Sequence, residues 1–335
     1  MKVLAILPFL AALFSGCAVI TGEDSTLSRE QAAGPRLAFE ETLKSSESLQ
    51  GQGLRENVRP AVFAQSLQRP VAVYADAFRV YVTDEYHLSS SQSARVFIFD
   101  RGDRSLTILG DGVPAADAVK LLAPSGIVVD AAGVVFVADA QQGRVFGYDR
   151  NGALLMEFGK RGELGSPAGL AIDRDRNLLY VADSHARLVK VFTTMGTPVL
   201  EIGAAGEHRL SGAAALSLDG AGNVYVLDDR SRKVRVYDRE GAHLREFSIA
   251  GEQPGTSLQP RGIAVDSVGR VYVSDAVASS VRIFDASGAF IRTWGRSGVL
   301  AGEFLRPLGI FIDRNDTIYV VDQSNGRVQV FRSFP

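Results

Sequence analysis

With 335 residues, 46% of them hydrophobic and 22% charged, the chain has a globular composition, and no polar tract is long enough to imply large-scale disorder. Its formal charge is −2, from 36 basic and 38 acidic side chains. That balance argues against nucleic acid as the main partner, since phosphate binding needs a basic footprint, and the lone Cys17 excludes an intrachain disulfide.

The chain opens with a positive Met1-Lys2, a twelve-residue apolar run over 3–14, and the small pair Ser15-Gly16 just before Cys17. Twelve apolar residues are too few to span a bilayer and fit a secretory signal. The stretch Leu13-Phe14-Ser15-Gly16-Cys17 resembles a bacterial lipoprotein signal, departing from that family at Phe14, where a small aliphatic residue is usual. The resemblance implies that residues 1–16 are a signal peptide and that Cys17 is the acylated first residue of the mature chain. Several acyl chains, palmitate among them, give a stable anchor where one chain is marginal. An ordinary signal peptide with an incidental cysteine is the alternative. Ala18 follows the cysteine, and by the same resemblance a residue other than Asp there implies the periplasmic face of the outer membrane. Residues 17–34 are small and polar and read as a flexible lipidated tether. Residues 36–43 then form an extended run with Leu37 and Phe39, and residues 44–68 read as loop with a short apolar stretch at 61–64.

From Pro70 a unit recurs six times, its fullest copy at 260–288 reading P-R-G-I-A-V-D-S-V-G-R-V-Y-V-S-D, five residues, then V-R-I-F-D-A-S-G. Short β-branched and aromatic runs bounded by turn residues predict strands. Copies begin at Pro70, Pro124, Pro167, near Gly212 without its proline, at Pro260 and at Pro307. The aspartates closing the second runs are Asp84, Asp139, Asp183, Asp228, Asp275 and Asp322, spaced 55, 44, 45, 47 and 47 residues apart. Four strands per unit at a fixed period predict an all-β fold, a six-bladed β-propeller of four-stranded antiparallel blades spanning 35–335. First strands carry Gly126, Gly169, Gly262 and Gly309, as expected where inner strands crowd the axis. The chain ends after a third strand, so residues 36–43 are expected to pair with 329–331 and close the ring, with 61–64 as the other candidate.

The units resemble NHL repeats, whose pattern is P-x-G-[IV]-A-V-D-x-x-G-x-[IV]-Y-V-[AT]-D, a short loop, a basic residue and [IV]-x-V-[FY]. The likeness covers residues 70–331, with 134–148 and 309–331 close and the fourth copy, Ser211-Gly212-Ala213-Ala214, the most divergent. It implies a monomeric propeller whose second-to-third-strand loops share one face, here the top, with the loops leading into first strands. It also implies a binding platform for proteins, glycans or RNA more often than an enzyme.

The six aspartates recur in every blade, which a catalytic group would not, and are expected to pair with the basic residue before the third strand: Arg95, Arg144, Lys233 or Arg327. The candidate ligand-binding set is on the top face: Arg69, Arg261 and Arg306 beside first strands; Tyr86 and His87 in the enlarged first loop; His185, Arg187, Arg230 and Arg232 on the same rim. As a set these suit an anionic envelope glycan or the acidic patch of an envelope protein, against the alternative of solvated surface arginines. Amidating lyases on a similar propeller hold zinc with clustered histidines, but His87, His185, His208 and His243 look scattered, with His243 expected on the bottom face. No acid matches a lactonase calcium site, and no phosphate loop or Ser-His-Asp pattern stands out. The expectation is a non-enzymatic, lipid-anchored binding or scaffold module without metal or other cofactor, a metal-dependent propeller enzyme being the alternative.

Overall fold

The computed structural model describes residues 34–45, 48, 66–85, 94–109, 120–159, 162–250 and 258–334. Cys17, Tyr86, His87 and the stretch 61–64 lie outside them. Among the described residues no helix is long and apolar enough to cross a membrane.

Six four-stranded sheets account for nearly all of the regular structure. The closing strand β1 is Arg36–Leu43. Blade 1 holds β2 (Pro70–Ala75), β3 (Arg79–Asp84), β4 (Arg95–Asp100) and β5 (Ser105–Leu109). Blade 2 holds β6 (Pro124–Val129), β7 (Val135–Asp139), β8 (Arg144–Tyr148) and β9 (Leu154–Phe158). Blade 3 holds β10 (Pro167–Asp173), β11 (Leu178–Asp183), β12 (Leu188–Thr193) and β13 (Pro198–Ile202). Blade 4 holds β14 (Ala215–Leu218), β15 (Val224–Asp228), β16 (Lys233–Tyr237) and β17 (His243–Ser248). Blade 5 holds β18 (Pro260–Val265), β19 (Val271–Asp275), β20 (Ser280–Phe284) and β21 (Phe290–Trp294). A short parallel pair, β22 (Arg296–Ser297) and β23 (Glu303–Phe304), leads to blade 6, with β24 (Pro307–Ile312), β25 (Thr317–Asp322) and β26 (Arg327–Phe334).

The sixth sheet runs β1-β26-β25-β24, so the head of the chain completes the last blade as expected. The register sets Thr42 against Gln329, Glu41 against Val330 and Phe39 against Phe331, with a bulge between Phe39 and Glu41. Leu43 is fully buried, and Phe39 meets Phe331 edge-on at 5.7 Å.

Inner strands of neighbouring blades meet backbone to backbone. A β-carbon on Gly262 would stand 2.5 Å from the Leu308 carbonyl oxygen, and one on Gly309 2.7 Å from that of Val71. Only glycine fits such an approach. The apolar core is a series of layers between blades: Ala264 and Tyr272 of blade 5 pack with Ile310 and Ile318 of blade 6, and Val73 and Phe97 of blade 1 with Val321 and Val328. On the bottom face the second-strand tyrosine ties down the preceding hairpin: Tyr81 donates to Asp76 at 3.0 Å, Tyr272 to Asp266 at 3.1 Å and Tyr319 to Asp313 at 3.3 Å. Burial pushes the Tyr81 and Tyr319 hydroxyls up to about 12.

Candidate functional site

The recurrent aspartates all sit buried at the top ends of their second strands. Their main partners correct the expectation of a cation across the loop. Asp183 accepts backbone N–H groups from Gly165 and Ser166 in the loop leading to its first strand, and from His185 and Ala186 in its own turn, at 2.7–3.2 Å. Asp139 does the same with Leu122, Ala123, Gln141 and Gln142. In these two blades the carboxylate therefore clamps the two loops that share the top face, a charge-assisted role that needs no basic side chain. Arg144 turns instead to Glu157 and Lys233 to Glu246, while Arg327 does reach Asp322 at 2.7 Å. Asp228 has a buried guanidinium beside it, but it is that of Arg235, from within the third strand, at 2.9 Å.

The inner strands enclose an axial cavity of about 1230 Å³. Its middle wall is apolar, with Val73, Ile127, Leu170, Leu216, Ile263 and Ile310 among the lining residues. Arg69, Arg261 and Arg306 line its top mouth together with Glu85 and Gln323. These arginines come from blades 1, 5 and 6, which are contiguous around the ring. All three are exposed, and none forms an ion pair with another described residue.

Among the described residues the other top-face candidates, His185, Arg187, Arg230 and Arg232, do not line the cavity. Arg187 and Arg232 occupy left-handed turn positions (φ 61° and 54°) immediately before third strands, the slot that Gly143 and Gly326 fill in blades 2 and 6. The His185 ring lies over Gly165, where a β-carbon would come within 2.8 Å of it, and at Gly212 a β-carbon would meet the Asp229 carboxylate and, at 3.2 Å, the Arg230 Cγ. Three arginines are thus gathered at one mouth, whereas His185, Arg187, Arg230 and Arg232 are spread around the rim.

The structure also joins two histidines that looked unrelated. The loop after β13 descends along the outer part of blade 4, held there by Tyr237, whose hydroxyl donates to the His208 carbonyl at 2.8 Å, and by Arg235, which donates to the Arg209 carbonyl. His208 then stacks on His243 with ring centroids 3.6 Å apart and planes 7° from parallel. Glu246 stands beside them, and Lys233 and Arg235 hold its carboxyl down to about 2. The expectation that no three potential ligands converge is corrected by this group.

Comparison with known proteins agrees with the architecture. A family described as a 6-bladed beta-propeller matches residues 263–332, and one described as a beta-propeller repeat matches 247–274. No curated protein matches the sequence. Among solved structures, the chain is similar to a protein of unknown function from Bacteroides thetaiotaomicron, at 16% identity and a TM-score of 0.63, covering 90% of this chain and 77% of that one. It is also similar to virginiamycin B lyase from Staphylococcus aureus, at 13% identity and a TM-score of 0.57, covering 89% and 99%. A streptogramin B lyase matches at 12% identity and a TM-score of 0.56, covering 80% and 94%. The chain is a six-bladed β-propeller, and identities this low speak to fold alone. The lyases nonetheless correct the expectation of a non-enzymatic chain. Enzymes are built on this scaffold, so the fold supplies no ground for setting catalysis aside.

Proposed function

We propose that the chain is a lipid-anchored module of the bacterial cell envelope that captures an anionic group of an envelope glycan or protein at the top mouth of its axial cavity. The observation that carries this reading is the set Arg69, Arg261 and Arg306, exposed and free of ion pairs among the described residues, opening onto a cavity whose middle wall is apolar. Guanidinium groups suit carboxylate, sulfate or phosphate through paired N–H donors, and a concave, low-dielectric setting strengthens the attraction. The anchor at Cys17 would hold this face in the envelope, on the reading of residues 1–17 given above.

Titration with an acidic oligosaccharide and with an acidic peptide, each at low and high salt, tests the mouth. Binding that weakens with salt and is abolished in Arg261→Glu/Arg306→Glu supports the reading. Absence of salt-dependent binding to both probes refutes it. The anchor is tested separately by labelling cells with a palmitate analogue, where equal label on Cys17→Ala and the native chain refutes it.

A further inference from the structure

We infer that His208, His243 and Glu246 form a binding site for a borderline divalent metal ion such as Zn²⁺, placed between the loop ahead of blade 4 and that blade's outermost strand. One ligand atom from each of the three residues lies within 4.8 Å of the others. Nitrogen and carboxylate oxygen ligands sit about 2.0–2.2 Å from zinc, so in a tetrahedral site two ligand atoms are separated by roughly 3.3–3.6 Å. The two imidazoles lie parallel, 3.6 Å apart, so their in-plane lone pairs converge once the His208 ring turns out of the stack, a movement open to it because it is exposed on its loop.

The local backbone explains why these residues meet. β17 carries a bulge, so that Tyr237 faces His243 while its neighbour Val236 faces Arg245 and Arg235 faces Glu246. Residues 243 and 246 would fall on opposite faces of a regular strand. The extra residue brings both onto the face that also bears Tyr237 and Arg235. The loop is positioned through its main chain by Tyr237 and Arg235, independently of the His208 ring.

A second feature points to a ligand. The Nε2 atom of His243 is buried and has no hydrogen-bond partner. A buried imidazole nitrogen left unpaired is costly, and a metal ion is one way to satisfy it. Two imidazoles and a carboxylate are a donor set suited to zinc, with water completing four-coordination. The surrounding charges do not oppose this. Lys233 and Arg235 are matched by Glu246 and Asp228, and Glu246 spends one lone pair per oxygen on them, leaving others for an ion.

The location suggests a structural role. Blade 4 lacks the Pro-x-Gly start, and its first strand β14 is the shortest inner strand, at four residues. An ion bridging loop and outer strand would staple the divergent blade to its neighbour.

The test uses the purified soluble chain freed of metal by chelation and titrated with Zn²⁺ alone, followed by calorimetry and elemental analysis, with thermal melting in parallel. The expected result is one equivalent bound and a raised melting temperature. Affinity should fall at least about tenfold in His208→Ala, His243→Ala and Glu246→Gln, and stay unchanged in His185→Ala. His208 is exposed, so its variant tests the site even if His243→Ala fails to fold. Failure to bind Zn²⁺ stoichiometrically, equal binding by His208→Ala, or loss in both histidine variants with none in Glu246→Gln would overturn the three-ligand site. Any of these outcomes leaves the anion reading of the axial mouth untouched.

Discussion

Leu43 gives the sharpest test of how the ring closes. The eight residues of β1 form the outer strand of the last blade, and Leu43 is the member of that strand whose side chain is fully buried. It packs among Leu67, Val328 and Val330, in the layer shared by blades 6 and 1. Truncating a buried leucine removes its transfer free energy and leaves a cavity, together about 2–5 kcal/mol. Here the backbone neighbours belong to a hydrogen-bonded ladder that cannot easily collapse inward, which places Leu43→Ala at about 3 kcal/mol. Phe39 is half-exposed and loses mainly its edge-to-face contact with Phe331, so Phe39→Ala should cost about 1 kcal/mol. Glu40→Ala breaks a solvated ion pair with Arg332 and should change stability by no more than about 0.5 kcal/mol. Denaturant unfolding of a soluble form with Cys17 replaced measures all three. If residues 36–43 were merely a tether, none of the substitutions would matter by more than about 0.5 kcal/mol. A flat response at Leu43 would therefore refute closure by β1.

Three further outcomes follow from other parts of the molecule. Asp183→Ala strands four backbone N–H groups of the top loops, and should cost at least about 3 kcal/mol, measured by the same unfolding assay. Glu246 is ionised well below its ordinary range because Lys233 and Arg235 bond its charged form. Its contribution is therefore fully present above roughly pH 4.5 and lost as pH falls towards about 2, so the melting-temperature gap between the native chain and Glu246→Gln, measured in chelator, should narrow across that window. Arg187→Gly relieves a left-handed backbone position and should be neutral or stabilising by up to about 1 kcal/mol in thermal melts, while leaving anion binding at the axial mouth unchanged.

The architecture was legible because a propeller writes its period into the sequence. Pro-x-Gly starts, V-Y-V runs and closing aspartates mark three features of nearly every blade, and the missing fourth strand of the last copy points back to residues 36–43. The partners of the aspartates were not legible. A basic residue follows five positions later in three copies and eleven later in the first, yet the backbone N–H groups of two converging loops come with every residue type, so no side-chain pattern announces them. The histidine pair was hidden for a different reason. His208 and His243 are separated by a whole sheet's worth of chain, and they meet only because one loop runs down the blade and one bulge changes which face a side chain takes. A lone departure in the repeat, the missing proline near Gly212, was the available signal that blade 4 is held together differently.

In a repeat protein the residues that recur and the residues that do not carry separate burdens. Those present in every blade, such as the buried aspartates, serve the common geometry, since six equivalent positions cannot each make one ligand contact. The basic mouth is built from exceptions. Arg69 and Arg306 stand just before the prolines of blades 1 and 6, and Arg261 just after that of blade 5. The matching slots hold Ala123 and Ser125 in blade 2, Ser166 and Ala168 in blade 3, and Gly212 and Ala214 in blade 4. Within these slots positive charge is accordingly gathered over blades 5, 6 and 1, while those of blades 2, 3 and 4 are small and uncharged. Repulsion among three like charges is a cost that the fold does not require, because the other blades manage without them. A symmetric scaffold that bears this asymmetric cluster positions an anion to one side of the axis, over blades 5, 6 and 1, with the apolar cavity wall beside it.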